Sequence, residues 1–184
     1  MRLSLPSFFR PQRAGANPFP PLGYPLFPAP RMAVLGCELQ EAPGVYCLPD
    51  WSAGEVAQIR PLALAASYSD YERLAALIRG GELALPELQY PLLVFSRPGE
   101  GALNREQHDE MWAWFGLPCF EQIRDADGWL LAQECEARDG FHLTGHARPG
   151  DLGGRLVHTL CECGQLSPRV SIAPAHALFA RAGD

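Results

Sequence analysis

Three thiols and one imidazole late in the chain have the residue types and spacing to do chemistry. Cys135 and His142 sit in Glu134-Cys135-Glu136 and Asp139-Gly140-Phe141-His142, and Cys161 and Cys163 follow in Cys161-Glu162-Cys163-Gly164. Four such donors complete a tetrahedral zinc site. With every coordination position filled by protein, the ion holds the chain together and leaves no place for a reactive water. Gly164 strengthens this reading, because glycine permits the positive φ that lets a Cys-x-Cys pair aim both sulfurs at one ion. The other reading is packing alone, with Cys135 a small buried hydrophobe, His142 a hydrogen-bonded polar residue and the Cys161/Cys163 pair incidental. His146 and His158 are alternatives to His142 as the nitrogen ligand. Glu134, Glu136 and Glu162 make the surroundings acidic, and hard carboxylates beside thiolates are expected to be solvated or to act from behind the ligands.

Other constellations are weaker. Asp139, His142 and Ser167 or Ser171 compose a nucleophilic triad only on paper, with no Gly-x-Ser-x-Gly elbow to support it, so their closeness is expected to be chance. Cys37, Cys47 and Cys119 are expected to pack in the core. Disulfides are not expected, because the start of the chain does not read as an export signal: Pro6 breaks the apolar run and Arg10 and Arg13 follow it. No segment approaches the length of a membrane span, so a cytoplasmic protein with no membrane partner is expected.

The 184 residues, 47% hydrophobic and 20% charged, suit one ordinary core. A net charge of −6 argues against a nucleic-acid partner, which needs a basic face. All 15 basic residues are arginine. Without a lysine this chain alone cannot supply a Walker phosphate loop, a Schiff base or a lysine on an acyl phosphate.

The elements that must position the cluster can be read upstream of it. Residues 1–31 form an extended arm, since Pro18, Pro20, Pro21, Pro25, Pro28 and Pro30 exclude helix and central strand. Its Phe19, Tyr24 and Phe27 are available to dock on the domain or on a protein partner. Residues 32–172 read as a single α/β (or α+β) domain, a mixed sheet with two or three packed helices. Its residues 129–172 form a zinc-stapled β knuckle, and 173–184 are a tail. Strands are expected at Met32–Leu35, Val45–Leu48, Leu92–Phe95, Cys119–Ile123, Trp129–Ala137, Leu156–Thr159 and Arg169–Ile172, with a hairpin turn at Asp125-Ala126-Asp127-Gly128. Capping boxes at Ser52/Glu55 and Ser69/Glu72, and a cap at Asn104 with Gln107, start three helices. Tyr71, Leu74, Ala75 and Ile78 form the apolar stripe of the second, and Met111, Trp112 and Phe115 that of the third.

From about residue 91 to 172 the chain resembles the later half of the large domain of phenylacetate-CoA-ligase-like adenylate-forming enzymes. The resemblance is carried by Glu134-Cys135-Glu136, Asp139-Gly140 with His142, and Cys161-x-Cys163-Gly164 with Pro168-Arg169. It implies an adenylating ancestry, and the departures imply its loss. Phe120-Glu121-Gln122-Ile123 stands where the family has Tyr-Gly-x-Thr-Glu, and no room exists between Thr159 and Cys161 for the strand whose Asp holds the ribose. The phosphate loop and the small lysine-bearing C-terminal domain are likewise expected to be missing. The expectation is a non-catalytic, zinc-stabilised binding or accessory module derived from an adenylate-forming ligase. The alternatives are an acyl-CoA ligase subunit completed by a partner chain and a metal-dependent hydrolase.

Overall fold

The computed structural model describes residues 22–25, 28–40, 42–145 and 147–174. Among these, nine strands form one mixed sheet: β1 (Met32–Leu35), β2 (Val45–Leu48), β3 (Ala63–Ser67), β4 (Leu92–Ser96), β5 (Cys119–Arg124), β6 (Leu130–Gln133), β7 (Phe141–Leu143), β8 (Arg155–Val157) and β9 (Arg169–Ser171). Their order is β2-β1-β3-β4-β5-β6-β7-β9-β8. The first five pair in parallel, and every pairing from β5 onward is antiparallel. Helices α1 (Ala53–Ile59), α2 (Tyr68–Arg79) and α3 (Arg105–Phe115) all belong to the parallel half.

Parallel strands are buried on both faces, which is why β1, β3 and β4 are apolar without alternation. Ala33, Leu35, Leu64, Ala66, Leu92 and Val94 face a cluster shared with Val56, Tyr71, Leu74 and Met111 of the three helices. Met32, Val34, Ala63, Ala65 and Leu93 face the opposite side, where no helix of the described residues lies. Leu22 and Tyr24 pack on that side: Leu22 is 7% exposed, and the Tyr24 hydroxyl donates to the Pro91 carbonyl at 3.0 Å. The β1–β2 connection travels along the sheet opposite to the later crossovers, and its Leu39 also packs on this side, as crossovers of a single hand require.

Local signals explain the helix boundaries, with three corrections. Ser52 and Glu55 form the expected capping box, and Asn104 with Gln107 forms another. α2 is capped by Ser67, whose side chain accepts from the Asp70 N–H, so the Ser69/Glu72 box is not used. Because Ala63–Ser67 is small and Ala-rich, it lacks the β-branched signature of a strand, yet it occupies the centre of the parallel half as β3. On α3, Met111 is buried and Phe115 packs on the core, but Trp112 is 59% exposed. Trp114 takes the inner role, with its ring 5.8 Å from Tyr68 and 6.3 Å from Phe115.

The hairpin turn forms as expected, with the Gly128 N–H donating to the Asp125 carbonyl and Gly128 at φ 81. The strand after it stops at Gln133 rather than Ala137, because the chain turns tightly at Cys135 and Arg138 takes a left-handed φ of 50. The antiparallel half has its own small core of Ile123, Leu131, Ala132, Phe141, Leu143, Leu152 and Val170. No helix among the described residues is long and apolar enough to cross a membrane.

Candidate metal centre

Short loops at one end of the antiparallel half converge on a single point. Cys135 follows β6, His142 is the middle residue of β7, and Cys161 and Cys163 lie in the loop joining β8 to β9. Their donor atoms all lie within 4.8 Å of one another. The Sγ atoms of Cys135 and Cys161 are 3.5 Å apart, and Cys163 Sγ is 3.3 Å from His142 Nε2. A tetrahedron with metal–sulfur bonds of about 2.3 Å has edges of roughly 3.8 Å, so the four donors fit one such ion and could hold it. Cys135, His142 and Cys161 are buried and Cys163 partly so, as a closed site requires.

Two glycines make the approach possible. Gly164 sits at φ 79 and its N–H donates to the Cys161 carbonyl at 3.1 Å, which closes the Cys-x-Cys turn. Gly140 sits at φ 87, and a Cβ there would lie 2.7 Å from the Val170 carbonyl oxygen. Only glycine lets β7 begin flush against β9.

The thiols are not equivalent. The backbone N–H of Cys163, with hydrogen bonds from its side chain, His142 and Cys135, lowers Cys161 to about 6. Burial raises Cys135 to about 12. A bound cation would displace the protons that remain on the thiols. Soft thiolates with one imidazole suit zinc better than magnesium or calcium.

The surroundings hold the ligands in place. Ser167 Oγ lies 2.9 Å from His142 Nδ1, leaving Nε2 facing Cys163. Ser167 and His142 are thus in direct contact. No triad results, because Asp139 is taken by Arg169 at 2.7 Å and Ser171 is exposed. Glu134 is partly buried, and its carboxylate accepts from the Glu121 N–H at 2.9 Å, tying the end of β6 to β5. Glu136, Glu162 and His158 are exposed, and His146 lies outside the described residues. Cys119 is buried in the helical core, Cys37 and Cys47 pack partly buried on the other face, and all six cysteines are free thiols. Spacing gave no sign that Arg169 holds Asp139, although Pro168-Arg169 belongs to the pattern that carries the resemblance.

A second feature follows from topology. At the carboxyl ends of β1, β3, β4 and β5 lies a crevice of about 650 Å³ lined by Gly36, Ser67, Asp70, Ser96, Arg97 and Arg124 among others. In open parallel sheets such ends are where ligands bind. Here Arg124 is engaged by the Gln122 side chain and by the carbonyls of Leu22 and Gly128. Glu121, on the strand where the resembled family has its nucleotide motif, accepts from Ser96 Oγ and from the Leu103 N–H.

No family model matches the sequence, and no curated protein matches it. Among solved structures, the chain is similar to an open conformation of 2-hydroxyisobutyryl-CoA ligase in complex with 2-HIB-AMP and CoA. The TM-score is 0.55 at 12% sequence identity, over 76% of this chain and 43% of that one. The likeness is one of fold, and the chain spans less than half of the ligase it matches.

Proposed function

We propose that the chain is a zinc-stabilised, non-catalytic binding or accessory module derived from an adenylate-forming ligase. The observation that carries this is the convergence of Cys135, His142, Cys161 and Cys163 within 4.8 Å, while Ser67, Asp70, Ser96 and Arg124 of the crevice are already hydrogen-bonded within the fold. The ligase-like fold supports the ancestry. The four protein ligands leave no position for a metal-bound water, which disfavours a hydrolase. The Glu121 carboxylate, which ties the loop after β4 to β5, is not free to meet a nucleotide or its magnesium. Free cysteines fit a reducing compartment such as the cytoplasm. A protein partner would have Leu160 and Leu166, 83% and 87% exposed on the knuckle, to grip.

The second reading, a ligase subunit completed by a partner chain, is favoured by the crevice at the strand ends. One pair of measurements separates the two. Purified under metal-free conditions, the protein is expected to carry about one zinc per chain and to release no pyrophosphate from ATP with any carboxylic acid. Less than about a tenth of an equivalent of zinc would remove the metal centre, given the tight binding of structural sites. Pyrophosphate release by the chain alone would remove the non-catalytic reading.

A further inference from the structure

The ligands come from two segments, 135–142 and 161–163, and one buried side chain grips both. Arg169 on β9 is the register partner of His142 across the sheet, and its side chain is 2% exposed. One guanidinium nitrogen, Nη1, donates to Asp139 Oδ2 at 2.7 Å and to the Asp139 carbonyl. The other, Nη2, donates to the Thr159 carbonyl at 2.8 Å and to Thr159 Oγ1 at 3.0 Å. Asp139 lies between Cys135 and His142, and Thr159 lies two residues before Cys161. A planar fork with five donors in fixed geometry is suited to bind two backbone segments at once.

Charge gives the same residue a second task. A divalent ion with three thiolates and a neutral imidazole sums to one negative charge, buried where uncompensated charge is costly. We infer that Arg169 is a positioning residue for the metal: it presets both ligand segments before the ion arrives and supplies the positive charge that offsets the metal–thiolate cluster. The inference rests on the metal reading proposed above. Lysine at this position keeps the charge but cannot span Asp139 and Thr159.

The test uses the full chain, with zinc affinity measured by competition against a chromophoric chelator and ligand geometry read from the absorption bands of bound cobalt(II). Arg169→Gln is expected to weaken zinc binding about 10- to 100-fold and to shift the cobalt bands, the range seen when groups behind metal ligands are lost. Arg169→Lys should recover part of the affinity but not the wild-type spectrum. Asp139→Ala removes the carboxylate contact of one arm and keeps the backbone one, at a side chain that is 65% exposed, so it perturbs the fold less than Arg169→Gln. It should weaken zinc by about 3- to 10-fold. Arg155→Gln, an exposed arginine on β8, should change nothing. If wild type binds zinc tightly and Asp139→Ala and any folded Arg169→Gln bind within about twofold of it, far less than loss of a group behind a ligand produces, the inference is overturned and the metal centre stands. If Arg155→Gln weakens binding as much as they do, the inference is also overturned. Wild-type protein that takes up no zinc overturns both.

Discussion

Glu121 shows how a single residue reports on what this chain has become. It is 1% exposed, and burial raises its carboxyl from 4.5 to about 7, despite hydrogen bonds from Ser96 and Leu103 that favour the ionised form. A raised folded pKa means that stability is fully present below the unfolded value near 4.5 and is lost as pH climbs to about 7. The loss amounts to roughly 3 kcal/mol at neutral pH and above. Glu121→Gln keeps the shape and an acceptor without the charge. In paired denaturant titrations it should therefore match wild type near pH 4.5 and exceed it by about 1–3 kcal/mol at pH 8. A variant less stable than wild type at pH 8 would show that the ionised carboxylate is a net stabiliser. At this scale the sequence was legible where spacing carried chemistry, as at Cys161-Glu162-Cys163-Gly164. It was silent where a role depends on distant packing: nothing local marks Arg169 as a clamp or Glu121 as buried.

Elements were legible wherever local rules decide them. The box at Ser52/Glu55 and the cap at Asn104 formed as read, and the strands Met32–Leu35 and Val45–Leu48 have the expected bounds. They were misread where two local choices are equivalent and tertiary contact selects one. Ser67 and Ser69 could each cap α2, and the chain leaving β3 favours Ser67. Trp112 and Trp114 both lie near the apolar stripe of α3, and the position of Tyr68 favours Trp114. This difference is measurable. Trp112→Glu, on the exposed face, should change stability by no more than about 0.5 kcal/mol. Trp114→Ala removes two ring contacts and should cost about 2–3 kcal/mol, read as the shift in a denaturation midpoint. Equal losses for both would place Trp112 in the core and overturn the assigned helix face.

For the whole molecule the two halves of the sheet are stabilised differently. The parallel half buries Tyr71, Leu74, Leu92, Val94 and Met111 between strands and three helices, enough apolar surface to stand on its own contacts. The antiparallel half rests on short strands of three or four residues beyond β5 and a smaller cluster around Phe141 and Val170. Its contacts hardly offset the entropy of ordering the glycine-rich loops that carry Cys135, Cys161 and Cys163. A single ion closing those loops would supply the difference. Amide hydrogen exchange before and after complete metal removal tests it most directly. Protection should fall from about Glu134 to Arg169 while α2, from Asp70 to Arg79, keeps its protection; unchanged exchange in both regions would contradict the staple and leave the four residues as packing alone.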